Sequence, residues 1–150
     1  MNALMVLKSD HDHIRWILGH LEQGVSGEIS LNKTDYIGWL DLLAGVLEEH
    51  IKQEERYLFK FLEQVIRNGM KNYHTDRDHE EIHYTIQILK GILHQGGPIP
   101  QKDITFYGSR LADLLKEHMT FEENVIFPRA EKELGSILLQ ALTPFMIASN

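Results

Sequence analysis

The sequence predicts an all-α protein, an up-down-up-down four-helix bundle with a short C-terminal helix packed across it. Three observations predict this. Apolar residues recur at spacings of three and four through four long segments, the period of an amphipathic helix. Short breaks containing Gly, Asn and Pro separate those segments. The first pair of segments also reappears in the second pair when the chain is shifted by 68 residues, as from His11 to His79 and from His50 to His118.

The first helix is expected from about residue 3 to about 23, where Leu4, Leu7, His11, Ile14, Leu18 and Leu21 share one stripe. Gly24, Ser26 and Gly27 break it. The second starts near Asn32 or Thr34, either a suitable N-cap, and carries Leu40, Leu43, Leu47, His50, Glu54, Leu58 and Leu62 on one face. Asn68-Gly69 reads as its stop. Thr75 with Asp78 resembles a capping box opening a third helix, whose stripe holds His79, Ile82, His83, Ile86 and Leu89. The run Gln95-Gly96-Gly97-Pro98-Ile99-Pro100 is a loop. A fourth helix is expected from about Lys102 to about Glu133, with Leu111, Leu115, His118, Glu122 and Ile126 facing inward, and a tail helix from about Ser136 to Met146. Short loops between long helices give antiparallel neighbours.

Residues 1–150 are expected to form a single domain, since this length supports one buried core. A formal charge of −7 with scattered Lys and Arg argues against nucleic acid as a partner. No apolar run reaches the roughly 18 to 20 residues that a membrane span needs. The opening MNALMVLKSDHDH is charged too early for a secretory signal, so the expected location is the cytoplasm. The chain has no cysteine, which removes disulfides, thiolate zinc sites, iron–sulfur ligation and thiol nucleophiles together. Nine histidines remain, and any metal must be held by imidazole and carboxylate.

The duplication concerns those residues. His11 falls on His79, His50 on His118, Glu54 on Glu122, Glu55 on Glu123 and Phe59 on Phe127, so two helix hairpins, about 1–68 and 69–136, repeat. The repeated polar residues occupy stripes where Leu and Ile are otherwise expected. Residues four apart lie on one helical face, so His50 projects with Glu54, and His118 with Glu122. Buried and unpaired, such groups cost several kcal/mol. Two cations remove that cost if the glutamates bridge and the imidazoles bind terminally, and this donor set suits iron, manganese or zinc. His83 aligns with Arg15, which breaks the repeat. One metal is therefore expected to take His79, His83 and His118, and the other His11 and His50, leaving a position open for a small molecule such as O2.

The elements His11, H50-x-x-x-E54, H79-x-x-x-H83 and H118-x-x-x-E122 resemble the hemerythrin and HHE cation-binding family over roughly residues 3 to 135. That resemblance implies a non-haem centre of two iron ions with an oxo or hydroxo bridge. The implied ligands are His11, His50, Glu54, His79, His83, His118 and Glu122. It also implies O2 or a related diatomic as the partner, bound at the iron of His11 and His50 for oxygen binding, storage or sensing. The alternatives are a two-iron enzyme acting on peroxide or nitric oxide, and an iron- or cation-handling protein. Glu122 stands where the oxygen-carrying members place an aspartate one residue further along. This is the pattern of the broader group, whose members are linked to oxygen or iron sensing, nitric oxide responses and repair of damaged iron centres. Repair members typically add a cysteine-containing N-terminal region, which points the expectation for this cysteine-free sequence away from repair.

The other residues have plainer readings. His13 lies off the first stripe, and His20, His74 and His94 lack a second ligand type on an apolar face. Glu55 and Glu123 read as solvated positions, with one of them an alternative ligand or an acceptor orienting an imidazole as the other reading. Trp16, Trp39, Tyr36, Tyr57 and Phe121 read as packing.

Overall fold

The computed structural model describes residues 2–26, 32–66 and 69–148, and Gly27 and Asn68, two of the expected breakers, lie outside them. Every regular element among the described residues is helical. Helix α1 spans Ala3–Ser26, one turn beyond the expected end, so Gly24 and Ser26 do not break it. Helix α2, Lys33–Gln53, is capped by Asn32, whose side chain accepts from the Asp35 amide at 2.8 Å. It continues through a π-helical turn, Glu54–Phe59, into α3, Lys60–Val65. After Gly69, at φ 61°, and a short 3-10 turn, α4 runs Thr75–Leu93. Helix α5, Gln101–Phe121, passes through a second π-helical turn, Glu122–Ile126, into α6, Phe127–Ala148.

One local expectation needs correction. The start of α4 is not a capping box. His74 takes a left-handed conformation at φ 53° with no side-chain cap, and the Asp78 carboxylate accepts instead from His118. The expected break before the tail helix is found inside α6. Gly135, at φ 78° and ψ 164°, kinks it, so the bundle helix ends there and residues 136–148 form the expected tail helix.

Helix α1 packs on α2, α5 and α6, α2 on α4, and α4 on α5, which is the antiparallel four-helix arrangement. The apolar interior has two bodies. One includes Ile14, Leu18, Leu40, Leu43, Leu47, Ile82, Ile86, Leu89, Leu111 and Leu115. The other includes Leu4, Leu7, Leu58, Leu62, Ile126, Phe127 and, from the tail helix, Leu139, Leu142 and Met146. Between them along every bundle helix sit the buried polar residues His11, His50, Glu54, His79, His118 and Glu122.

The π-helical turns explain how the stripes survive. From His50 the inward residues Glu54, Leu58 and Leu62 follow in three successive steps of four, and His118, Glu122, Ile126 and Ala130 do the same. In an α-helix each step of four overshoots a full turn by about 40°, so three such steps would carry the last residue out of the core. A turn that takes in one more residue cancels the drift. The Phe127 amide bonds the Glu122 carbonyl five residues back, as a π-helix requires. Pro128 follows directly, where a regular turn would set its ring against the carbonyl four residues earlier.

Candidate metal centre

The two π-helical turns begin at Glu54 and Glu122, among the described residues the only fully buried carboxylates. Glu54 sends Oε1 to within 2.6 Å of His50 Nε2 and Oε2 to within 3.4 Å of His79 Nε2. Glu122 sends Oε1 to 3.0 Å from His11 Nε2 and Oε2 to 3.4 Å from His118 Nε2. Each carboxylate therefore offers one oxygen to each of two pockets. His11, His50, Glu54 and Glu122 form the first pocket, and His79, His118, Glu54 and Glu122 the second; within each, the donor atoms all lie within 4.8 Å of one another.

The imidazoles are held from behind. His11 Nδ1 lies 2.7 Å from Glu123 Oε2 and His79 Nδ1 lies 3.1 Å from Glu55 Oε1. His50 Nδ1 lies 3.1 Å from Asp10 Oδ2, and His118 Nδ1 lies 3.2 Å from Asp78 Oδ2. A carboxylate only accepts, so each Nδ1 carries the proton and donates it. All four Nε2 lone pairs are thereby turned on the cavity, the tautomer a metal ligand needs. Phe127 stacks against His11 and Phe59 against His79, fixing the rings on the flank.

These groups fit a cation and fit nothing else within reach. His11 and His50 Nε2 approach to 3.0 Å and His79 and His118 Nε2 to 3.2 Å, lone pair toward lone pair. Both Glu54 oxygens and Glu122 Oε2 have close imidazole neighbours but no hydrogen-bond geometry with any of them. Such groups buried away from water are costly unless a cation takes them up. The acid–base behaviour says the same. Burial alone would lower His50, yet Glu54, Asp10 and Glu122 hold it well above the ordinary range. Burial would likewise lower His118, and Glu122, Glu54 and Asp78 push it up to about 9. Burial would raise Glu54, but His50, His11 and His79 hold it well below the usual carboxylate range. The cavity draws positive charge from whatever supplies it.

His83 is not brought to this cavity. It is exposed on α4 and stands on the wall of a groove beside His79. The inward stripe of α4 is His79, Ile82, Ile86, Leu89 and Leu93, and four residues beyond His79 a regular helix turns about 40° further out. No π-helical turn corrects that drift here. The expected three-imidazole metal and the asymmetry built on it are therefore absent from this geometry; each pocket has two imidazoles. Asp10 and Asp78 were not anticipated as partners. Their signal was present, because Asp10-His11 and Asp78-His79 repeat at the same 68-residue shift, as Glu54-Glu55 and Glu122-Glu123 do. Of the remaining histidines, His20 stacks flat on Trp39 at 4.1 Å, and Trp16, edge-on to both, is largely exposed.

A bundle whose four helices each supply inward imidazole or carboxylate defines a cation-binding helical protein. Residues 2–130 match the Hemerythrin HHE cation binding domain, and the chain belongs to that family. Similar curated proteins include the Iron-sulfur cluster repair protein YtfE of Salmonella paratyphi B, Salmonella newport and Salmonella heidelberg. Each is 28% identical over 103 residues, which cover 61% of this chain and 45% of the relative. The chain thus spans about half the length of the curated relatives it matches. No solved structure matches it. Among the described residues, no helix is long and apolar enough to cross a membrane.

Proposed function

We propose that the chain holds two iron ions, one in each pocket, and binds O2 or a related diatomic there for oxygen binding, storage or sensing in the cytoplasm. The observation that carries this reading is the orientation of four Nε2 lone pairs onto two shared carboxylates, each imidazole fixed by its own acidic partner. His11 and His50 would hold one ion, His79 and His118 the other, with Glu54 and Glu122 common to both. Iron so held supplies reversible one-electron chemistry and Lewis acidity toward a small ligand. The protein's own part is to keep the imidazoles in one tautomer, to exclude bulk water with Phe59 and Phe127, and to leave each ion short of a full protein shell. The same reading takes residues 1–150 as one domain of two helix-hairpin repeats, about 1–68 and 69–136, a view supported by the duplicated Nδ1–carboxylate bonds.

A second reading is iron donation. It is favoured by the two-imidazole pockets, which leave both ions exchangeable, and by the likeness to proteins named for iron–sulfur cluster repair. Metal content per chain and visible spectra of the reduced protein, before and after air, test the two. Two irons with new bands that vanish when O2 is removed support diatomic binding. Two irons that pass readily to an apo iron–sulfur acceptor, with no reversible bands, favour donation. Fewer than two irons per chain removes both.

A further inference from the structure

The two pockets share a donor set, but their surroundings differ at one pair of matched positions. Behind His11, Glu123 accepts from His11 Nδ1 at 2.7 Å and from the Arg15 guanidinium at 2.5 Å. Behind His79, Glu55 accepts from His79 Nδ1 at 3.1 Å, and the residue matching Arg15 is the exposed His83. Among the described residues no Lys or Arg pairs with Glu55, whose side chain is 50% exposed against 26% for Glu123.

Access differs in the same direction. A groove of about 580 Å³ runs between α2 and α4, and His79, Glu55 and His83 are in its wall. His79 lines that groove; His79 and His118 keep 6% and 7% of their surface exposed, whereas His11 keeps none and His50 4%. On the α1–α5 side the corresponding depression lies around Leu18, Glu22 and Lys116, and its lining includes neither His11 nor Glu123. Exchange of a bound ion requires water or an incoming donor to reach an imidazole as it detaches. The groove provides that approach to His79, and the carboxylates in its wall, Glu48, Glu55, Asp76 and Glu80, outnumber its lysines, Lys52 and Lys90, so that it favours a hydrated cation. At His11 the approach is covered, the supporting carboxylate is clasped, and the Arg15 charge opposes a cation.

Resting on the two-metal reading above, we propose that the pockets are kinetically unequal. Divalent metal enters and leaves the His79/His118 pocket through the α2–α4 groove, whereas the Arg15–Glu123 clasp closes the His11/His50 pocket. The test uses the full chain loaded with Co2+, whose visible absorption reports its ligands, and then challenged with excess EDTA. Release is expected in two phases of one equivalent each. Arg15→Gln should speed the slow phase by about tenfold, the scale of losing one charge-assisted hydrogen bond, and leave the fast phase alone. Gln87→Trp, which narrows the groove without touching any proposed ligand, should slow only the fast phase. Two equivalents leaving in a single phase overturn the proposal, as does an Arg15→Gln variant whose slow phase is unchanged. Fewer than two Co2+ per chain overturns the two-metal reading, and this inference with it.

Discussion

Asp10, Glu55, Asp78 and Glu123 decide which nitrogen of each imidazole faces the cavity, so the chemistry of the centre depends on residues that never point into it. His83 shows the converse, a histidine at ligand spacing that faces outward. On the proposed two-metal reading, His83→Gln is expected to keep both metal ions per chain by elemental analysis, whereas His79→Gln loses one; loss of an ion in His83→Gln would show that the helix turns inward when loaded. At this scale the inward placement of His11, His50, Glu54, His79, His118 and Glu122 was legible, because repeat register and apolar stripe agreed. It misled at His83 because spacing of four says that two residues are neighbours on a helix, and does not say that both face the core. Asp10 and Asp78 were overlooked because they lie beside the stripe, where an acidic residue reads as solvated.

The helices show why spacing and direction part company. In α2 and α5 three steps of four stay inward only because a π-helical turn follows each imidazole, and α4, with no such turn, lets His83 drift out. A run of uninterrupted fours is the sequence sign of such a turn. The tail helix was more readily anticipated, from its apolar run after Ser136, and Gly135 makes the break. Its φ of 78° with ψ of 164° lies in a region essentially reserved for glycine. Gly135→Ala should therefore destabilise the chain by about 1–3 kcal/mol in denaturant titrations. The strain would displace the tail from Leu58 and Leu62, and from Gln53, whose side-chain amide donates to the Met146 carbonyl at 2.8 Å. Unchanged stability would mean that the kink relaxes freely.

For the molecule as a whole, charge in the polar layer sets how stability follows pH. In metal-free protein the raised imidazoles contribute stability that is complete below their ordinary value of 6.5 and is lost as pH rises, through about 9 for His118. The depressed carboxylates act oppositely: Glu54 stabilises above its ordinary 4.5, and that contribution fades as pH falls further. Chelated protein should therefore have its highest unfolding midpoint between these limits and lose midpoint steadily from pH 6.5 to 9. Metal-loaded protein should hold its midpoint over that range, because the ions replace the protons, and should lose it on acidification instead. Parallel alkaline profiles with and without metal would contradict this.

Among the described residues, the polar layer lies between two apolar bodies along the bundle axis. Apolar contact propagates cooperativity more strongly than a layer of buried imidazoles and carboxylates does. On the proposed two-metal reading, ions in the pockets would tie the two ends into one unit, and their removal would leave the end built from the N-terminal turn, α3 and the tail free to open by itself. Iron scarcity would then be read by proteases as an exposed end, so the lifetime of the chain would follow its metal supply.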